Sequence, residues 1–240
     1  MDGSKSYRVT LKFGEARSTD DAEGDVIETS DHRPSADEIK AVLNEFTGEI
    51  QQVPPKFSAI KVNGKRAYDL ARRDEEVVLK PRPILIKDLR LVDMPDRDHA
   101  VFDVISGKGA YMRSLARDIA LRLGTVGYIA ALRRTSAGPF SEGDSIRLQD
   151  LLEMDPEEVL KKMLPVETAL DDIPALALTE VEAQRLSSGQ SVGLLPVAKR
   201  SALENPVVQD EIVCAMLHNR AVALAEISGG EIRPVRVFNL

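Results

Sequence analysis

Tyr7, Val9, Leu11 and Phe13 alternate with Arg8, Thr10 and Lys12, a period of two that marks a strand with one apolar face. A strand of this kind is stable only inside a sheet whose apolar side is covered, so the rest of the chain must supply neighbours and a covering layer. The stretches 83–92 and 100–105 read as strands that pair through the charged turn 93–98, and 26–28 is a shorter strand after a polar loop. The cover comes from helices. Ser35-Ala36-Asp37-Glu38 is a capping box, followed by Ile39, Val42, Leu43 and Phe46 at helical spacing and by Gly48 where a C-terminal cap belongs. A second helix follows the glycine-broken corner Ser106-Gly107-Lys108-Gly109 and runs from Arg113 to Leu123, with Leu115, Ile119 and Leu123 on one side.

Between these elements, Pro54-Pro55 leads into an extended segment that closes at the turn signal Asn63-Gly64, and a basic helix is expected from Lys65 to Arg73. Ile146 to Leu160 reads as helical around a break at Pro156. Pro165 and Pro174 then flank an acidic stretch, so residues 1–165 are expected to form a larger domain and 166–240 a smaller one. In the smaller domain the capping box Thr179-Glu180-Val181-Glu182 starts a short helix ending at Gly189. The strands Ile212–Leu217, Val222–Ile227 and Val235–Phe238 follow, and together they suggest a small barrel.

Composition narrows the chemistry. The single cysteine, Cys214, forbids an intrachain disulfide and a multi-thiolate zinc site, and reads as a buried strand residue. His32, His99 and His218 have no metal or catalytic spacing, and Gly107-Lys108-Gly109 lacks the third glycine of a nucleotide loop, so no metal and no cofactor is expected. The opening Met-Asp-Gly-Ser-Lys-Ser-Tyr is too polar for a secretory signal and no run approaches a membrane span; a cytoplasmic protein without membrane partners is the expectation. The net charge of −7 hides a division, since residues 56–147 sum to +6 and the flanks to −13. A basic middle suits an RNA groove as well as it suits an ordinary solvated surface.

Four stretches, in order, resemble the TruB family of tRNA pseudouridine-55 synthases. They are Tyr7-Arg8-Val9 with Thr19-Asp20-Asp21-Ala22-Glu23-Gly24; Pro54-Pro55-Lys56-Phe57-Ser58-Ala59-Ile60-Lys61 with Gly64-Lys65 and Tyr68; Lys108-Gly109-Ala110-Tyr111-Met112-Arg113; and Leu132-Arg133-Arg134. The resemblance implies an α+β pseudouridine synthase fold, a mixed and largely antiparallel sheet with flanking helices, followed by a small PUA-like β-barrel. It implies isomerisation of uridine 55 in the T loop of tRNA, without cofactor, by a monomer whose partner is the tRNA T stem-loop.

The resemblance also assigns residues. Tyr7 stacks on the target base and takes part in catalysis; its plain alternative is a core tyrosine of a strand. Tyr111 contacts the substrate, or else anchors the start of a helix. Leu132 closes the pocket, or simply packs. Lys61 lies near the site, or on the surface. Lys56, Lys65, Arg66, Arg72, Lys108, Arg133 and Arg134 are assigned to RNA phosphates, each with an ordinary surface charge as the alternative. Arg113 matches an arginine that pairs with the nucleophilic aspartate of a Gly-x-x-Asp-type motif. That motif belongs upstream of Tyr7, where Asp2 cannot replace it, and Thr168-Ala169-Leu170-Asp171 is a decoy. Arg113 is then expected to find Asp118, another acid, water or a phosphate. Ser18 stands where the family has aspartate. The expectations that follow are a chain inactive by itself, an alternative life as a non-catalytic tRNA-binding or folding protein, a separate N-terminal piece as partner, and an unpaired edge or bare apolar face on the Tyr7 sheet.

Overall fold

The computed structural model describes residues 3–62, 65–73, 78–201 and 207–239, without the side chains of Val62, Lys65 and Ala71. Two compact units divide between Asp144 and Ser145. The sequence boundary expected at 165 falls after two helices, 148–153 and 156–162, that bury no residue although their sequence is rich in leucine.

The first unit contains β1 (Lys5–Phe13), β2 (Glu15–Arg17), β3 (Val26–Thr29), α1 (Ala36–Val42), β4 (Gly48–Gln52), β5 (Lys61–Val62), β6 (Lys65–Arg66), α2 (Ala67–Ala71), β7 (Arg82–Asp93), β8 (His99–Ser106), α3 (Met112–Arg122), β9 (Gly127–Ala137) and β10 (Phe140–Ser141). Its main sheet has the order β10-β9-β1-β8-β7-β4 and is antiparallel throughout. The expected unpaired edge does not fall on the tyrosine strand, since β1 is bonded on both sides and the edges are β4 and β10. The apolar face of β1 is covered as well: Val9, Leu11 and Phe13 share one cluster with Ile39 from α1 and with Met112, Leu115, Ala116 and Ile119 from α3.

Both capping boxes form. The Ser35 hydroxyl accepts from the Glu38 N–H at 3.3 Å and the Glu38 carboxylate accepts from the Ser35 N–H at 2.8 Å. The helix they start turns tighter at Leu43–Phe46. The basic helix is shorter than its sequence signal, because Lys65–Arg66 pair with Lys61–Val62 and α2 begins only at Ala67. The Asn63-Gly64 turn lies outside the described residues.

The second unit holds α4 (Leu148–Glu153), α5 (Pro156–Lys162), β11 (Ala175–Ala177), α6 (Glu180–Ser187), β12 (Val192–Gly193), α7 (Leu194–Arg200), β13 (Ile212–Leu217), β14 (Arg220–Ser228) and β15 (Glu231–Val237). The strands form one curled sheet in the order β11-β13-β14-β15-β12, consistent with a PUA-like domain. Asp171 is exposed at the end of the 3-10 turn Val166–Leu170. Cys214 is buried in β13, where burial pushes its thiol pKa up to about 11. A thiol held protonated and away from solvent is a poor nucleophile. An aromatic disulfide reagent is therefore expected to leave Cys214 unmodified in the native protein and to react with one equivalent after unfolding in urea; rapid native labelling would contradict this placement.

Candidate active site

The register of the central strands decides which side chains meet. Tyr7 lies opposite Val104 on β8 and Arg134 on β9, and Val9 lies opposite Leu132. Residues directly opposite on antiparallel strands point to the same face, so Tyr7, Leu132 and Arg134 all project on the side that α3 covers. Tyr7 is half-buried against the core, whereas Leu132 is 49% exposed. Chain direction brings the helix start to the same place. Strand β8 ends at Ser106 opposite Lys5, and α3 returns from there towards the far end of the sheet, where Gly127 pairs with Phe13. The first turn of α3, with Tyr111 and Arg113, therefore sits at the Tyr7 end.

The approach to α3 is fixed in detail. Gly109 has φ +83, a conformation that strains a residue carrying a side chain. Its carbonyl accepts from the Arg82 guanidinium, which also lies 5.1 Å from the centre of the Tyr111 ring. Tyr111 is the residue that caps α3, and its main chain is gripped by a buried amide. The Gln52 Oε1 accepts from the Tyr111 N–H at 2.8 Å, and the Gln52 Nε2 donates to the Tyr111 carbonyl at 3.1 Å.

Arg113 and Arg117, one helical turn apart, tie two loops to α3. Arg113 Nη1 donates to the Thr19 carbonyl and to Asp21 Oδ2, both at 3.0 Å, and Nη2 donates to the Phe57 carbonyl at 2.8 Å. The acid Arg113 finds is thus Asp21. Asp118 goes instead to Arg117, at 2.9 Å, because residue 118 leaves the helix on a different side from residue 113. Arg117 also holds Asp20 at 3.1 Å and the Val53 carbonyl at 3.0 Å, and the Ser114 hydroxyl donates to that carbonyl at 2.7 Å. Asp20 has φ +61, uncommon for a residue with a side chain, which its place between β9 and Arg117 enforces. Burial raises the pKa of both Asp20 and Asp118 above the usual carboxylate range, with Arg117 pulling against it. Gln52, Arg82, Ser114 and Arg117 carry no motif in the sequence; only the four-residue step from Arg113 to Arg117 hints at a shared helix face.

The remaining basic residues are spread more widely. Lys56 and Lys61 are exposed, and Lys61 lines a concavity with Pro54, Ile60, Lys80 and Arg82. Arg66 and Arg72 lie over the Tyr68 ring at 5.8 and 5.5 Å. The side chain of Lys65 lies outside the described residues. Lys108 is exposed in the corner before α3. Arg133 and Arg134 point to opposite faces of β9; Arg133 faces Arg8 and is paired with Glu142. Among the described residues no cluster of His, Cys, Asp and Glu could hold a metal ion, and no helix is long and apolar enough to cross a membrane.

A largely antiparallel sheet crossed by one helix, with a curled β-domain after it, is the architecture of the pseudouridine synthases. Solved chains that share it are found in a Cbf5-Nop10-Gar1 complex, with TM-score 0.72, 24% identity and 98% of this chain covered, and in an H/ACA RNP bound to a substrate RNA containing 2'-deoxyuridine, with TM-score 0.74, 20% identity and 99% covered. The chain spans 66% of each of those chains. Residues 1–112 match the TruB family pseudouridylate synthase N-terminal domain, and 113–171 match the tRNA pseudouridylate synthase B C-terminal domain. Proteins named tRNA pseudouridine synthase B are 56% identical over 242 residues in Rhodospirillum rubrum and 50% identical over 246 residues in Bradyrhizobium diazoefficiens. Each alignment takes in 100% of this chain, and 78% and 69% of the respective relative. The chain belongs to the TruB family.

Proposed function

We propose that the first unit is the RNA-holding body of an isomerase that converts uridine 55 in the T loop of tRNA to pseudouridine in the cytoplasm. The observation that carries this reading is the shared location of Tyr7 and Leu132 on the sheet with Tyr111 and Arg113 at the start of α3. A uridine taken out of the T loop loses its stacking, and Tyr7 supplies an aromatic face in return while Leu132 shuts out water. The reaction breaks the glycosidic bond, turns the uracil over and joins its C5 to the sugar, releasing the C5 proton. Arg134 projects on this face, Arg82 reaches the Tyr111 ring and Lys61 shares a concavity with Arg82; all three suit phosphates, which position RNA without reading its sequence. Monomeric action fits a sheet whose tyrosine strand is paired on both sides.

The reaction needs a carboxylate nucleophile, and among the described residues the acids held by Arg113 and Arg117 are already engaged. Not one of the chain's 15 glycines is followed by aspartate at the third position. At Arg113 both Asp21 oxygens are engaged, Oδ2 by the guanidinium and Oδ1 by the Thr19 hydroxyl at 2.5 Å and the Glu23 N–H at 3.2 Å. This favours, for the polypeptide alone, the reading of a T-arm binder that does no chemistry. A fluorescent T-arm stem-loop is expected to bind with affinity that falls steeply as salt rises, and Tyr7→Ala is expected to weaken binding about tenfold through lost stacking. Absence of binding at low salt, or a Tyr7→Ala variant that binds like the parent, would refute the placement of RNA on this face.

A further inference from the structure

We propose that Gln52 is the positioning residue of the site, holding Tyr111 in place for the RNA base by recognising its main chain. The inference rests on the reading of Tyr111 as a base-contacting residue. Gln52 is 1% exposed at the end of an edge strand, a costly place for an amide unless both of its ends are paired. Both are paired, and with the two main-chain groups of a single residue 59 positions away. The pairing copies a strand-to-strand hydrogen-bond pair with a side chain. The Tyr111 carbonyl accepts from Leu115 N–H at 3.0 Å as well, so the amide holds the first link of the α3 ladder.

Its neighbours act on the same few residues. Gln52 lies opposite Arg82 in the β4–β7 register, and Arg82 reaches the carbonyl of Gly109 and the ring of Tyr111. The next carbonyl, that of Val53, receives Ser114, itself fully buried, and Arg117. None of these contacts touches the Tyr111 hydroxyl or occupies the sheet face in front of Tyr7. An amide that fixes φ, ψ and helix start, and leaves the ring to one cation on its side, sets where the phenol projects without competing for the base. A small error in that setting is expensive for recognition.

The test separates placement from simple structural support, because Tyr111→Ala removes the ring yet keeps both hydrogen bonds to Gln52. Affinity for the T-arm stem-loop and thermal midpoint are measured for the parent, Gln52→Leu, Tyr111→Ala and the double variant. Gln52→Leu is expected to weaken binding about tenfold in the parent and less than about twofold in the Tyr111→Ala background, while lowering the midpoint equally in both. If Tyr111→Ala leaves affinity unchanged, the reading of Tyr111 fails and the role of Gln52 falls with it. If Tyr111→Ala weakens binding but Gln52→Leu costs the same factor in both backgrounds, or nothing, the reading of Tyr111 stands and the positioning role is overturned. Should the leucine variant not fold, Gln52→Glu decides. A protonated glutamic acid reproduces the amide's donor and acceptor, whereas the ionised form sets an oxygen against the Tyr111 carbonyl. Burial favours the neutral form and Arg82 opposes it. Affinity relative to the parent at the same pH is expected to drop about tenfold near pH 8 and to recover to within about twofold near pH 5.5; a flat profile overturns the proposal.

Discussion

Transfer RNA carrying tritium at C5 of uridine is expected to release no label above the protein-free control when incubated with the purified 240-residue polypeptide, even where a T-arm stem-loop is bound. Tritium leaves only when the glycosidic bond has broken and C5 has joined the sugar, which needs a carboxylate free to attack. The acids that meet Arg113 and Arg117 are not free. Asp21 is held by Arg113, Thr19 and Glu23, and Asp20 is held by Arg117. Releasing Asp21 would break three hydrogen bonds and leave Arg113 without its anion. The effect is all or none, and sustained release of label would show that one of these carboxylates, or another, serves as nucleophile.

Arg117→Met is expected to destabilise the first unit by about 2–3 kcal/mol, because it takes from two partly buried carboxylates the cation they are hydrogen-bonded to and leaves Asp20 only the charge of Arg113. Asp20→Asn is expected to cost less than about 1 kcal/mol, since the amide keeps a hydrogen bond to Arg117 and tolerates the left-handed backbone at residue 20. The asymmetry follows from the pKa directions. Burial lifts Asp20 and Asp118 above the usual range despite Arg117, so ionising them in the folded state already opposes folding. A carboxyl with a raised folded pKa contributes stability at low pH that is lost as pH rises through that value. Without Arg117 both values rise further. The deficit of Arg117→Met relative to the parent is therefore largest at neutral pH and shrinks as pH falls towards about 4, where the unfolded carboxyls titrate too. Urea unfolding across that range measures it; a deficit independent of pH would mean that Arg117 acts through packing alone.

Much of this fold can be read in the sequence wherever local pattern and tertiary environment agree. Strand β1 alternates cleanly because one face meets α3 and the other carries Arg8, Thr10 and Lys12. The capping boxes at Ser35 and Thr179 announce helix starts by chemistry that lies within four residues. Strand β9 escapes such reading. Its register against β1 shifts twice, opposite Ser6/Tyr7 and Thr10/Leu11, and three buried residues are followed by a long exposed run, so no period of two survives. Strand β4 is masked by Gly48, which suits a helix cap equally well.

The site divides in the same way. Tyr7, Tyr111, Arg113 and Leu132 were nameable from the family pattern, but the carboxylate that Arg113 finds was not, because Asp21 reaches it across 92 positions of chain. Gln52 is silent for a related reason. A glutamine at the end of a short strand looks like surface until the Arg82 register and the fold of the Gly109 corner bring Tyr111 against it.

A T-arm stem-loop with 4-thiouridine at the target position, bound to the protein and irradiated, reports directly what surrounds the extruded base. Crosslinks mapped to peptides containing Tyr7, Tyr111 or Leu132 are the predicted result. Crosslinks confined to residues 145–240, with those three peptides unlabelled, would contradict it.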